Sequence, residues 1–200
     1  GCILSAASCN KWWMDDILKT QDYAAEQTPI TAENLGRNHV YYLPYLMGER
    51  SPHNDPAARS AFIGMTMDTT RAEMTQAVLE GVAFAIRDCV EVARAQGISI
   101  AASRICGGGA KSPLWRKIFA NVLNVTLELP ETEQGPGYGG AMLAAVACGQ
   151  YASVAECAAK LVRIKGTEKP DAALAALYET RYQTWHKLYP ALRALEPELA

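Results

Sequence analysis

Between residues 70 and 97 the apolar positions fall at spacings of three and four: Met74, Val78, Val82, Ala85, Cys89 and Val92. That period puts one apolar stripe on a long helix. Thr70 followed by Glu73 predicts a capping box at its start, and Gly97 supplies the stop. Gly81 in mid-helix costs roughly 1 kcal/mol against alanine, so close packing is expected at that point. The same period returns in Trp115, Ile118, Phe119, Val122 and Leu123. It returns again in a final helix that an Asp171 cap opens and that runs through Leu174, Leu177, Tyr178, Trp185 and Leu188 to Pro190. Residues 5–19 read as a further helix, with Trp12, Trp13, Ile17 and Leu18 as packing residues, and residues 22–27 as a shorter one.

Between these helices lie short β-type runs. Val40-Tyr41-Tyr42-Leu43 is closed by Pro44, Ala61-Phe62-Ile63-Gly64-Met65 follows, another run ends at Cys106, and Val125 to Leu129 ends at Pro130. The long loop from Met47 to Arg59 is dense in turn formers and charge. Gly135-Pro136-Gly137-Tyr138-Gly139-Gly140 reads as a loop leading into a small-residue helix from Ala141 to Cys148, which is expected to lie close on a sheet or another helix. Strands alternating with helices mean an α/β fold, with no internal repeat.

Composition narrows the function classes. The 200 residues carry a formal net charge of −2 and are 50% hydrophobic, enough for a sizeable core. A nucleic-acid binder would show a basic face, and no apolar run reaches the length of a membrane span. The start lacks the basic and apolar regions of a signal peptide and has no initiating Met, so the chain reads as part of a longer protein. The six cysteines form no C-x-x-C pair and no zinc-finger spacing with His39, His53 or His186. They are expected to be free thiols, most of them buried, in a metal-free protein of a reducing, cytoplasmic compartment.

Candidate chemistry concentrates in Arg104-Ile105-Cys106-Gly107-Gly108-Gly109-Ala110-Lys111-Ser112-Pro113. Three glycines free the backbone to adopt positive φ or to lie flat against a ligand. Ser112 is a good N-cap, and Pro113 suits the first helical position. The helix N-terminus behind them is a potential anion site. A nucleotide or phosphate loop and a ligand-free turn both satisfy this pattern. A Walker loop is excluded, because Ile105 and Ala110 stand where its two glycines belong. A dinucleotide fingerprint begins in Gly107-x-Gly109, with Glu128 or Glu131 downstream, but Ser112 replaces its third glycine and Pro113 removes an N–H. No G-x-S-x-G elbow is present. Asp15 with Asp16 and Glu131 with Glu133 read as solvated surface, and nothing in the spacing of the loop acids Asp55 and Asp68 marks either as a general base.

Three segments together resemble the FGGY carbohydrate kinases. Ser60-x-Phe62-x-Gly64-Met65, seven residues and then Glu73-Met74-x-x-Ala77-Val78-Leu79-Glu80 match a family signature at every specified position. Tyr42 to Pro56 resembles the form that this region takes in the members acting on xylulose, and Gly107 to Ser112 is similar to the family's adenosine loop. The resemblance runs from about Ser5 into the last helix and is weakest after Gly149.

It implies an actin-like, ribonuclease H-like ATPase domain, a mixed sheet with helices on both faces, spanning residues 1–200 as the C-terminal of two domains. ATP and Mg²⁺ are the implied cofactors. The implied acceptor is a ketopentose, D-xylulose ahead of the siblings' gluconate, ribulose or glycerol. Gly107, Gly108, Gly109 and Ala110 are expected to contact adenosine through their backbone, with Lys111 and Ser112 flanking and Pro113 setting the helix start. The sugar site, the catalytic aspartate and the first phosphate loop belong to the N-terminal domain, so no catalytic or metal-ligand role is assigned to a residue of this chain. That domain is the expected partner, and a homodimer is left open. A Rossmann domain and a non-catalytic interaction module remain the readings from other classes.

Overall fold

The computed structural model describes residues 2–132 and 135–195. Its axis is helix α3, Arg71–Ala95, opened by the expected capping box: Thr70 Oγ1 accepts from the Glu73 N–H, and the Glu73 carboxylate accepts from the Thr70 N–H. The one-stripe expectation is too narrow. Every residue from Thr75 to Ala85 is buried, while Val92, counted in the stripe, stays exposed. The reason is that neighbours pack on α3 from several sides. They include α1 (Ala7–Trp12), α2 (Tyr23–Gln27), β1 (Tyr41–Leu43) and α4 (Pro113–Leu123).

The polar residues inside α3 are tied in turn. Thr75 accepts from Trp13 Nε1 at 2.9 Å, in the π-helical turn Trp13–Ile17 that prolongs α1. Glu80 accepts from Gln76 at 2.7 Å, Tyr178 at 3.0 Å and Arg181 at 2.8 Å. Burial is the dominant effect on its carboxyl and pushes it above the ordinary carboxylate range, with Arg181 pulling the other way. Asp88 accepts from Tyr182 at 2.6 Å, and Arg87 donates to the Val122 carbonyl at 2.7 Å. Tyr178, Arg181, Tyr182 and Trp185 all lie on α7, Ala172–Trp185, whose Trp185 Nε1 also donates to the Tyr42 carbonyl at 2.8 Å. The expected unbroken helix to Pro190 is instead α7 followed by the short α8, Leu188–Leu192, after a break at His186 and Lys187.

Two sheets carry the strands. β1 pairs antiparallel with β2, Ala61–Ile63. The second is a mixed, three-stranded sheet: β3 (Ala102–Arg104) runs parallel to β4 (Thr126–Pro130), and β4 runs antiparallel to β5 (Ile164–Glu168). The β3–α4–β4 unit is the crossover that a parallel pair requires, and α4 packs on β4 and β5. Strand β5 and helix α6, Val154–Leu161, did not figure in the expectations. Helix α5 starts at Gly135 rather than Ala141 and lies on α6, where Tyr138 donates to the Leu161 carbonyl at 2.9 Å. None of its residues is buried.

The cysteines are free, but most are not buried. Cys9 and Cys157 are inside, Cys89 is half-buried, and Cys2, Cys106 and Cys148 are exposed because they sit in loops or at a helix end. Burial pushes the Cys9 thiol up to about 12.

Gly81 is where β1 crosses α3, and a Cβ there would run into the Tyr42 carbonyl oxygen. Gly81→Ala is therefore expected to destabilise the fold by about 1–3 kcal/mol through overpacking, against alanine's better helix propensity. Arg181→Met strands the Glu80 carboxylate and is expected to cost about 3–5 kcal/mol, with Glu80→Met/Arg181→Met recovering much of that loss. Denaturant midpoints read both.

Candidate functional site

The glycine loop lies at the carboxyl end of β3, the side of an open α/β sheet where ligands bind. Gly107 has φ 87° and ψ −173°, a conformation open only to glycine. Gly108–Lys111 then make one 3₁₀ turn, in which Ala110 N donates to the Gly107 carbonyl at 3.2 Å. Ser112 caps α4 by accepting from the Trp115 N–H at 3.1 Å, and Pro113 takes the first helical position, both as expected. The anion-site expectation weakens here, since the Ser112 oxygen occupies one free N–H and Pro113 lacks another. The Ser112 hydroxyl itself donates to Gln27 Oε1 at 2.6 Å, which ties the loop to α2.

Both residues of this tie line an open cleft of about 940 Å³ between the loop, α1 and α2, within the range of small-molecule sites, about 300–1,000 Å³. Of the residues expected to bind, Gly108, Gly109, Lys111, Ser112 and Pro113 line it. Gly107 and Ala110 do not; they line a smaller cavity of about 300 Å³, which shares Ala7, Gly108, Gly109 and Trp115 with the first. The three glycines also have different reasons to be glycine. At Gly107 the reason is backbone conformation. At Gly109 a Cβ would sit 3.0 Å from the Trp115 ring, and at Gly108 it would meet nothing within 4 Å. A tight turn therefore does not demand Gly108.

The opposite wall was missed from sequence. It comes from Ala7, Asn10 and Lys11 on α1, Tyr23, Ala24 and Gln27 on α2, and Ile30. Asn10 is 4% exposed, and its side-chain oxygen has no hydrogen-bond partner. An amide inside an otherwise apolar helical pattern was the available signal.

The loop from Met47 to Arg59 contributes nothing to this cavity. Backbone bonds join Glu49 to Asp55 at 2.8 and 2.7 Å, His53 stacks on Tyr189 at 4.0 Å, and Tyr189 donates to Asp55 at 2.7 Å. Cys89 on α3 donates to the Ser51 carbonyl at 3.3 Å. Asp55 thus serves to clip the loop to α8 rather than to face the cavity.

Gly107→Ala is expected to lose about 1–3 kcal/mol of stability from the forced backbone, and Ser112→Ala about 1 kcal/mol from the lost cap. Thermal or urea unfolding of the two variants checks the order.

Residues 1–148 match the model of the C-terminal domain of the FGGY family of carbohydrate kinases. Across 198 residues the chain is 36% identical to a xylulose kinase of Escherichia coli K12, covering 96% of this chain and 40% of that protein. A crystal structure of a "xyloylose kinase" from Brucella ovis superposes with a TM-score of 0.86 at 38% identity, over 98% of this chain and 40% of that one. A gluconate kinase from Lactobacillus acidophilus gives the same TM-score at 25% identity, over 99% of this chain and 40% of that one. The chain thus spans about 40% of the length of these relatives, and its fold is theirs, the actin-like ATPase fold. With residues 1–148 matched by the family's C-terminal domain, the chain belongs to the FGGY carbohydrate kinases.

Proposed function

We propose that this chain is the nucleotide-side, C-terminal domain of an ATP-dependent sugar kinase, with D-xylulose as the acceptor. The observation that carries the reading is a single cavity walled by Gly108, Gly109 and Ser112 on one side and by α1 and α2 on the other, in a chain of this family. Its walls suit an adenosine. Ala7, Ala24, Ile30 and Trp115 offer apolar surface to a base, and Gly108 lets a ligand approach the backbone. Gly109 would meet the same nucleotide, Lys111 would flank it at the mouth, Ser112 would hold the loop against Gln27, and Pro113 would fix where α4 begins. Gly107 and Ala110 then act by shaping the loop, through the Gly107 backbone conformation and the Ala110 N–H bond to the Gly107 carbonyl.

Bound Mg²⁺-ATP supplies the phosphoryl group and the charge neutralisation for in-line transfer. The chain's own part is to hold the adenosine end so that the phosphates project toward the domain carrying the sugar and its base, which is how positioning lowers the barrier. The lining of the cavity contains no carboxylate among the described residues, whereas Mg²⁺ takes hard oxygen ligands. This wall therefore fits the nucleoside and not the metal. Xylulose is favoured as acceptor by the names of the relatives in Escherichia coli and Brucella ovis.

In the intact kinase carrying this chain, Gly108→Val is expected to leave the unfolding midpoint nearly unchanged, since its Cβ meets open space. ATP affinity should fall at least about tenfold as the side chain fills the cavity. Unchanged ATP affinity, read by calorimetric titration, would contradict the assignment. In a coupled ADP-release assay, kcat/KM should be highest for D-xylulose among xylulose, ribulose, gluconate and glycerol. A higher value for another acceptor would overturn the substrate while leaving the nucleotide reading intact.

A further inference from the structure

Lys111, Arg116 and Lys165 come from three elements, the glycine loop, α4 and β5, and border one small cavity of about 230 Å³. The cavity lies beyond the carboxyl ends of the parallel strands β3 and β4, where Cys106 and Thr132 also line it. That is the side of an open α/β sheet on which ligands bind. No carboxylate lines it among the described residues, in a chain whose formal net charge is −2.

Two details of the backbone and its hydrogen bonds place these charges. Arg116 Nη1 donates to the Ala110 carbonyl at 2.7 Å, and Ala110 is itself part of the wall, so the guanidinium is held at the edge of the cavity. β4 and β5 pair Leu129 with Gly166 and Pro130 with Ile164, which leaves Lys165 as the extra residue of a β-bulge. A bulge re-aims the side chain that it carries, and Leu129, Pro130 and Lys165 all border the cavity. Lys111 and Lys165 are exposed, and each ammonium ends a flexible four-carbon stem that can swing over the mouth. Both lysines already have other interactions, which an incoming anion exchanges for its own. The sign and position of the charges carry the inference, not idle groups.

We propose that this cavity binds a phosphate dianion, either free or at the end of a small phosphorylated sugar. Its volume falls below the range of sites for larger organic ligands, about 300–1,000 Å³. Three cations suit a multiply charged oxyanion: the arginine fork matches two phosphate oxygens, and each lysine adds a point charge. The site is distinct from the nucleotide cleft, with which it shares Lys111 alone among the described residues.

The test is a calorimetric titration of inorganic phosphate into the intact kinase carrying this chain, with a non-hydrolysable ATP analogue at saturation so that the nucleotide cleft is filled. Phosphate should bind saturably in the millimolar range, and Lys165→Gln should weaken it at least about tenfold, the loss expected for one charged hydrogen bond. Lys165→Arg should retain binding. Lys165→Gln should leave the KM for ATP unchanged, because Lys165 does not line the larger cleft. A ketopentose phosphate that binds more tightly than inorganic phosphate, with the same sensitivity to Lys165→Gln, identifies the esterified group as the occupant; weaker binding identifies the free ion. Absence of saturable phosphate binding would overturn the proposal, and so would binding that Lys165→Gln leaves intact. A raised KM for ATP in that variant would place the nucleotide itself in this cavity, defeating both this proposal and the reading of the larger cleft.

Discussion

Helix α3 is buried on nearly all sides between Thr75 and Ala85, and everything else is fitted to that fact. A helix so enclosed must satisfy each polar side chain that it takes inside, because an unpaired buried charge costs several kcal/mol. Glu80, Arg87 and Asp88 therefore dictate what α7 presents: Tyr178 and Arg181 to the first, Glu179 to the second and Tyr182 to the third. The same helix admits β1 only because Gly81 leaves room for the Tyr42 backbone.

The site inherits its position from this frame. Trp115 on α4 donates to the Leu79 carbonyl of α3 at 2.9 Å and stacks on Phe119, so its ring is fixed. Gly109 rests 3.0 Å from that ring, measured to a notional Cβ, and the hydrogen bond from Ser112 to Gln27 holds the loop against α2. A chain of contacts thus runs from the core to the cavity wall. The loop's helix start is already capped from within, which removes much of the anion-binding capacity that a bare N-terminus would have.

What could be read in the sequence was what is local. The Thr70–Glu73 box, the Ser112–Pro113 start and the Asp171 cap each involve residues within one helical turn, and all three form as expected. The glycine loop was legible as a special backbone, but not the division of labour in it, since that depends on Trp115 and on the space around Gly108. The far wall was hidden because Asn10 and Gln27 matter only once α1 and α2 are brought against the loop. β5 has only partly buried or exposed residues, Ile164-Lys165-Gly166-Thr167-Glu168, and so shows no alternating pattern. α6 carried a readable signal, with Ser153 capping the Glu156 N–H at 3.1 Å before an apolar run. The glycines of α5 look like loop residues by propensity, and its packing on α6 overrides that preference.

The central claim is that the wall formed by Gly108, Gly109 and Ser112 receives the adenosine end of ATP. A crystal structure of the intact kinase with a non-hydrolysable ATP analogue tests it most directly. The account predicts the base and ribose between this loop and helices α1 and α2, with the phosphates leading out of the cavity. A nucleotide seated instead in the cavity of about 230 Å³ beside Arg116 and Lys165, with the larger cavity empty, would contradict it.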